Sequence, residues 1–136
     1  WELKQVKTTC TYCGVGCQLD LNIHDGKLVK VTGNREYGQP NEGRLCVKGR
    51  FGLDFIQHPN RLKTPLIRKN GDLKEASWDE AYKFIVKKLA SIKKKHGPDS
   101  IAGFSSARVT NEENYLFQKF MRAVIGTNNV DHCARL

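Results

Sequence analysis

The first third of the chain contains stretches that alternate between polar and apolar side chains. Residues 18–23 follow the two-residue period of a strand with one buried face. The pattern meets Asp25 and Gly26, a favoured two-residue turn, and apolar side chains return over residues 28–31. The sequence therefore predicts a β-hairpin within a set of small antiparallel strands over residues 4 to about 50.

Less regular sequence follows the hairpin. Residues 32–43 are polar and contain glycine and proline, so we expect a loop there. Apolar side chains over residues 51–56 predict a short helix that ends before Pro59. Because the composition changes just after this proline, we predict two domains, residues 1–60 and residues 61–136.

Helical periodicity dominates the next part of the chain. A second hairpin is predicted at Asn70 and Gly71, and Ser77 with Glu80 has the spacing of a capping box that begins a helix. Gly97 is expected to end that helix. Its apolar side chains recur at helical spacing and predict a face that packs in the core: Trp78, Ala81, Tyr82, Ile85, Leu89 and Ile92.

A strand, a small polar loop and a second helix are predicted next. The apolar run over residues 101–105 indicates a strand of the parallel type, and Thr110 with Glu113 indicates a capping box for a helix over residues 111–125. One further strand is expected near Val130. The predicted fold class is therefore α+β, a small antiparallel-strand domain followed by the beginning of an α/β domain.

The charge balance changes this picture little. The chain of 136 residues has 23 basic and 14 acidic side chains, a formal net charge of +9. Much of the excess lies on the first long helix, where a solvated face explains it, and no nucleic-acid recognition motif is present. No apolar run approaches the roughly eighteen residues of a membrane span, and there is no signal-peptide pattern. We therefore expect a protein without a membrane span that binds no nucleic acid.

Four cysteines carry the candidate chemistry: Cys10, Cys13, Cys17 and Cys46. Two residues separate the first pair, three separate the second, and twenty-eight precede the last. Thiolates are the ligands of iron–sulfur clusters, and a short loop with three of them can surround a cubane that takes its fourth ligand from a distance. The spacing therefore favours a 4Fe-4S cluster, and free thiols that serve as cluster ligands favour a reducing cytoplasm.

Other uses of these cysteines stay open, although they fit the spacing less well. Structural zinc sites usually take their ligands as two separated pairs, whereas three cysteines crowd into residues 10–17 here. Ferredoxin-type runs have two residues in both gaps and a proline after the last cysteine, where this chain has Val47. A disulfide framework fits poorly because Cys133 makes the number of cysteines odd.

Two basic residues each have a functional and an ordinary interpretation. Lys48 follows Cys46 by two residues, and it is either a solvated lysine or a cation between the cluster and a second anionic cofactor. Arg108 lies in the loop before the second helix, where an anion can bind free backbone amides. Because that loop has neither of the common phosphate-binding motifs, the residues alone favour an exposed arginine.

Longer segments resemble a known family. CTYCGVGC at residues 10–17, LCVKGRFG at residues 45–52 and the stretch 58–68 resemble the start of molybdenum or tungsten oxidoreductases that carry bis(molybdopterin guanine dinucleotide). Residues 105–112 and the closing segment 125–136, which ends in GTNNVDHCARL, are similar to the formate dehydrogenase branch.

The resemblance implies roles for several residues. It implies that the four cysteines ligate the 4Fe-4S cluster, that Lys48 lies between the cluster and one pterin, and that Arg108 lies near the dinucleotide cofactor. His132 and Cys133 match the approach to the active site, without a catalytic role. In the family, a selenocysteine or cysteine that ligates the metal follows the position of Leu136. We therefore expect no catalytic residue in the given chain, and we expect it to be the front portion of a longer selenoenzyme.

The same resemblance implies a function. It implies interconversion of formate and carbon dioxide at a molybdenum or tungsten centre held by two pterin dinucleotides, with electrons passing through the 4Fe-4S cluster. The expected partners are iron–sulfur electron-transfer subunits, with a hydrogenase or a nicotinamide-linked subunit as options. The alternatives are a stand-alone 4Fe-4S electron-transfer protein and a nitrate reductase of the same superfamily.

Overall fold

The computed structural model describes residues 2–35 and 40–135, which divide into two compact units. The first unit contains the described residues up to number 61 together with residues 106–115. The second contains residues 62–105 and 116–135. Strands and helices both occur along the chain, and the predicted α+β class is confirmed.

The first unit is built on a three-stranded antiparallel sheet. β1 is Lys4–Thr9, β2 is Gln18–His24 and β3 is Lys27–Gly33, in the order β1-β2-β3. Asp25 and Gly26 join β2 to β3 with φ of +48° and +73°, the left-handed values that suit a two-residue hairpin turn. The predicted hairpin is therefore confirmed.

The alternation along β2 breaks near its end. Leu19 is buried as the pattern predicts, but the register of β2 against β3 shifts between Asn22 and Ile23, and Asn22 is buried. Its amide nitrogen donates to the Lys30 carbonyl at 3.3 Å and to the Thr32 hydroxyl at 3.1 Å. Alternation predicts that Asn22 faces solvent, but its side chain is buried, and these hydrogen bonds offset the cost of burying it.

The core of the first unit is small and includes one of the four cysteines. Cys10, Leu19 and Val31 form its buried cluster. Partly buried apolar side chains pack against the cluster: Tyr12, Cys17, Leu21, Leu28, Leu45 and Leu53. A candidate metal ligand is therefore part of the hydrophobic core of this unit.

The segment after Cys46 differs from the prediction. α1 covers Val47–Phe51, whereas the helix predicted over residues 51–56 is only a 3-10 turn at Asp54–Ile56. Cys46 has extended backbone angles, φ −69° and ψ 169°, and forms the N-cap of α1, while Gly52 ends the helix. The prediction misplaced the helix because it followed the apolar side chains, which lie on both sides of this glycine.

The loop predicted over residues 32–43 begins later than expected, because β3 continues to Gly33. A β-carbon at Gly33 would lie 1.8 Å from the carbonyl oxygen of Gly43, so the two backbones are in direct contact. Part of this loop, residues 36–39, lies outside the described residues. The contact brings the chain back to the end of β3 three residues before Cys46.

The second unit begins with another hairpin. β4, Leu66–Lys69, pairs antiparallel with β5, Asp72–Glu75. Asn70 and Gly71 connect them with φ of +54° and +94°. The hairpin predicted from the Asn-Gly pair is confirmed.

α2 covers Trp78–His96, with the predicted capping box at its start. The Glu80 backbone N–H donates to the Ser77 hydroxyl at 3.2 Å, and the Ser77 backbone N–H donates to the Glu80 carboxylate at 2.9 Å. The bond from Ser77 and the charge of Lys69 lower the pKa of Glu80 below its ordinary value. Gly97 follows the helix with φ of +84°, as its predicted end requires.

The prediction that the apolar stripe of α2 packs in a core is wrong for the described chain. Only Ala81 of this helix is buried among the described residues, while Trp78 is 61% exposed and Tyr82 is 58% exposed. The two aromatic rings contact each other, with centroids 5.7 Å apart. The spacing predicted an apolar face correctly, but in the described chain that face is left largely uncovered.

The remaining elements of the chain follow the predicted order. β6, Gly103–Ser105, pairs in parallel with β7, Val130–His132, which confirms the strand expected near Val130. α3 covers Asn111–Lys119 and continues as a π-helix over Phe120–Ile125. Gly126 ends it in the left-handed conformation, with φ of +89°. In the described part of the chain, no helix is both long enough and apolar enough to span a bilayer.

We expect Ser77→Ala to lower the free energy of unfolding by about 1 kcal/mol, because it removes the hydroxyl that caps α2. Denaturant titration followed by circular dichroism measures the change. Ser91→Ala, at an exposed position within the same helix, is the matched control and should lower the stability little or not at all. Equal stability of the two variants would contradict a stabilising capping box.

Candidate metal centre

The ends of one strand pair fix the loop that carries three of the four cysteines. Cys10 follows β1 directly and Cys17 precedes β2 directly, and the last residue of β1 pairs with the first residue of β2. The backbone N–H of Cys10 donates to the Cys17 carbonyl at 2.8 Å, which extends the pairing by one bond. Within the loop, Gly16 has φ of +76°, a conformation that favours glycine. The antiparallel ladder therefore closes this loop at its base.

The four cysteines differ in exposure and none forms a disulfide. Cys10 is buried, Cys13 and Cys17 are partly buried, and Cys46 is exposed. The thiols are therefore free to act as ligands once deprotonated, and one edge of the group faces solvent.

The four sulfurs lie close enough to influence one another. The pKa of the Cys17 thiol is raised above its ordinary value, first by burial and then by repulsion from ionised Cys10, Cys13 and Cys46. Each of the other three cysteines contributes to this shift, so all four occupy one electrostatic neighbourhood. A bound cation would reverse the effect, because positive charge favours the thiolate form.

Backbone amides favour the ionised form of Cys46. The pKa of this thiol is lowered, chiefly by hydrogen bonds from the backbone N–H groups of Gly49 and Lys48, and further by the positive charge of Lys48. These amides belong to the first turn of α1, where backbone donors have no partner within the helix. Lys48 is itself exposed. The charge of Lys48 thus favours the thiolate form of the candidate ligand Cys46.

Contacts hold α1 against the cysteine loop. Gly49 is buried, and a β-carbon there would lie 3.5 Å from the Cys10 sulfur. Tyr12, inside the loop, donates its hydroxyl hydrogen to the Gly52 carbonyl at the end of α1. The Tyr12 ring also meets the edge of Phe55, with centroids 6.1 Å apart. The helix that follows Cys46 therefore packs on the loop that carries the other three sulfurs.

Asn41 connects the two segments that supply the cysteines, and the sequence analysis missed it. Its side-chain oxygen accepts the Gln18 backbone N–H at 2.9 Å, and its amide nitrogen donates to the Gln18 carbonyl at 3.0 Å. The same nitrogen donates to the Arg44 carbonyl at 2.7 Å. Gln18 follows Cys17 and Arg44 lies two residues before Cys46. A polar residue inside a predicted loop gives no sign of such a partner 23 residues away.

Asn111 is a second side-chain contact that the sequence analysis missed. Its amide nitrogen donates to the Gly14 carbonyl at 2.8 Å, although the two residues are 97 positions apart in sequence. The contact lies within the first unit, to which residues 106–115 belong. Arg108 is exposed in the same segment, and its backbone N–H donates to the Ser106 hydroxyl at 3.0 Å.

The donor set fits an iron–sulfur cluster. It consists of four free thiols, with backbone amides and a lysine that favour a thiolate. Among residues 2–35 and 40–135, no three His, Cys, Asp or Glu side chains converge as they would around a single ion. A cubane distributes four thiolates over four irons, so it does not require such convergence. Bound there, the cluster would supply one-electron storage and transfer.

Two family models match adjacent parts of the chain. Residues 3–58 match the molybdopterin oxidoreductase Fe4S4 domain, and residues 61–136 match the molybdopterin oxidoreductase model. The chain therefore belongs to the molybdopterin oxidoreductase family, as the resemblance of its motifs predicted. The family descriptions confirm the predicted cofactors as far as an Fe4S4 cluster and a molybdopterin.

Several curated proteins are similar over almost the whole chain. The F420-dependent formate dehydrogenase 1 subunit alpha of Methanococcus maripaludis is 53% identical over 99% of this chain, which covers 19% of that relative. The formate dehydrogenase 2 subunit alpha of the same organism is 50% identical with the same coverage. A putative formate dehydrogenase of Staphylococcus aureus is 48% identical over 98% of the chain and 14% of the relative. The chain thus spans less than a fifth of the length of these proteins.

We expect Asn41→Ala to weaken the connection between the two cysteine segments, because it removes three hydrogen bonds to the backbone. The iron content of protein isolated without oxygen should fall by about half or more, and the free energy of unfolding by about 1–3 kcal/mol. Iron assay and denaturant titration measure these changes. The exposed Asn60 provides the control, and Asn60→Ala should retain the original iron content. Full iron content in both variants would contradict this role of Asn41.

Proposed function

We propose that this chain is the amino-terminal, iron–sulfur portion of the catalytic subunit of a formate dehydrogenase or carbon dioxide reductase. One observation carries the proposal: four free thiols in one electrostatic neighbourhood lie in a chain that is about half identical, over nearly all its length, to formate dehydrogenase alpha subunits. In this proposal, residues 1–60 form the 4Fe-4S domain and residues 61–136 begin the molybdopterin-binding domain. Formate and carbon dioxide are the substrates.

We propose Cys10, Cys13, Cys17 and Cys46 as the cluster ligands. Two arguments support this assignment. Thiolates are the usual ligands of such clusters, and the other three cysteines all contribute to the raised pKa of Cys17. Strand pairing fixes the two ends of the loop, at Cys10 and Cys17, and Cys46 is held as the N-cap of α1. Anchoring at both ends pre-orients the ligands, which reduces the entropy that must be lost on binding.

We also assign roles to two basic residues. Lys48 is proposed for a position between the cluster and one pterin, and its support is the charge it places beside Cys46. Arg108 is proposed to bind the dinucleotide part of the second cofactor. Its support is an exposed side chain in a polar loop directly before α3, where an anionic group can approach.

The remaining details of the proposal follow the resemblance. The second cofactor is bis(molybdopterin guanine dinucleotide) with molybdenum or tungsten, held largely by other parts of the protein. The partners are iron–sulfur electron-transfer subunits, together with a hydrogenase or a nicotinamide-linked subunit. The cytoplasm is the proposed location, because free thiol ligands require a reducing compartment.

The proposal is tested on the native protein, purified without oxygen. We expect about four irons and four sulfides for the cluster of this chain. We also expect a pterin and molybdenum or tungsten. The enzyme should oxidise formate with an artificial electron acceptor. A protein with the cluster but neither pterin nor formate activity would instead be a stand-alone electron carrier. Nitrate reduction without formate oxidation would indicate the other branch of the superfamily, and zinc in place of iron would contradict the site itself.

We expect Lys48→Ala to slow electron transfer more than it affects cofactor content. Removing the ammonium group destabilises the reduced, more negative cluster, so turnover should fall by about three- to tenfold while iron and pterin contents stay near their original values. Lys48→Arg keeps the charge and should restore most of the rate. Lys27→Ala, at an exposed position in β3, is the control. Unchanged turnover in Lys48→Ala would count against this role.

A further inference from the structure

The side chain of Asn111 reaches the middle of the cysteine loop. Its amide nitrogen donates to the carbonyl of Gly14, 2.8 Å away, and Gly14 follows Cys13 directly. Both residues belong to the first unit. The bond is therefore a contact within one compact unit, between the loop that carries three sulfurs and the first residue of α3.

Asn111 is held in place by its neighbours. Thr110 and Glu113 form a capping box: the Glu113 backbone N–H donates to the Thr110 hydroxyl at 3.3 Å, and the Thr110 backbone N–H donates to the Glu113 carboxylate at 2.7 Å. In the next turn, Asn114 donates its amide hydrogen to the Ser106 carbonyl at 3.1 Å. The donor thus comes from a fixed helix start rather than from a free loop, which gives the bond a defined direction.

Gly14 has no room for a side chain because of Asn111. A β-carbon at Gly14 would lie 2.3 Å from the Asn111 side-chain oxygen and 3.0 Å from its Cγ, and the three nearest atoms all belong to Asn111. The backbone at Gly14 does not adopt the left-handed conformation that favours glycine. A side chain at residue 14 is therefore compatible with this structure only if the Asn111 side chain moves away.

The bond constrains the peptide group between Gly14 and Val15. A peptide is planar, so fixing the direction of its carbonyl also fixes the direction of the N–H on the other side of the plane. This peptide lies in the loop between Cys13 and Cys17. The orientation of amide donors near cluster sulfurs is one of the factors that set the potential and stability of an iron–sulfur centre.

We propose that Asn111 is a positioning residue for the iron–sulfur cluster, because it donates a hydrogen bond to the Gly14 carbonyl and thereby holds the cysteine loop in its ligating conformation. The inference rests on the proposed function, because it assumes that the four cysteines hold a cluster. Asn111 lies in residues 106–115, whereas the other residues of the site lie between residues 10 and 52. Asn111 then contacts the cysteine loop, and Asn114 in the same helix contacts Ser106 in the loop that contains Arg108.

The test uses the complete holoenzyme with Asn111→Ala, and Asn111→Asp as an isosteric variant that lacks the amide donor. We expect both to lose iron to a chelator about three- to tenfold faster than the unaltered enzyme. We also expect a changed electron paramagnetic resonance spectrum of the reduced cluster and faster hydrogen exchange in the peptide that contains residues 13–17. Glu112→Gln, at an exposed position in the same helical turn, is the matched control and should leave all three readouts unchanged.

A double-mutant cycle tests the contact itself. Gly14→Ala should release iron faster, because its β-carbon collides with the Asn111 side chain. In Gly14→Ala/Asn111→Ala the colliding atoms are gone, so the double variant should be no worse than Asn111→Ala alone. This strong non-additivity is the signature of a direct contact.

The possible outcomes separate the inference from the proposed function. If the unaltered enzyme has a 4Fe-4S cluster but the Asn111 variants match Glu112→Gln in iron release and spectrum, the inference is wrong and the proposed function stands. Additive effects in the cycle would also overturn it. If the unaltered enzyme contains no iron–sulfur cluster, both the proposed function and the inference fail.

Discussion

Repulsion among sulfurs held close together is the constraint that the first unit must satisfy. Burial and three neighbouring cysteines raise the pKa of the Cys17 thiol, so its ionisation is less favourable than that of a solvated cysteine. The fold opposes this repulsion with backbone rather than with many charged side chains. Strand pairing closes the loop, and the amides of Gly49 and Lys48 favour a thiolate at Cys46. The hydrogen bonds of the Tyr12 and Asn41 side chains hold these backbone segments in place.

The sequence predicted those parts of the structure that depend on neighbours along the chain. Both hairpins follow from turn pairs whose residues adopt left-handed angles readily, Asp25 with Gly26 and Asn70 with Gly71. The capping box at Ser77 was predicted for the same reason, because its partner lies three residues away. The cysteine spacing indicated the site because the ligand chemistry restricts which residues can serve.

The features that sequence reasoning missed depend on partners that are distant in sequence. Asn41 and Asn111 contact backbone carbonyls 23 and 97 residues away, and an asparagine in a polar segment gives no indication of either bond. The helix after Cys46 was misplaced because apolar spacing does not show that Gly52 interrupts it. Burial of α2 was misjudged for a related reason: periodicity defines a face but not whether another element covers it.

The uncovered apolar face of α2 affects how this polypeptide behaves in water. Tyr82, Val86 and Val124 are each more than half exposed, and they line one apolar groove with Phe120 and Ile125. Surfaces of this kind associate with one another in water, and they are hazardous while a large protein is still being synthesised. A chain in which nothing covers this helix would therefore associate with other copies through it, and aggregation rather than loss of secondary structure would be the first consequence.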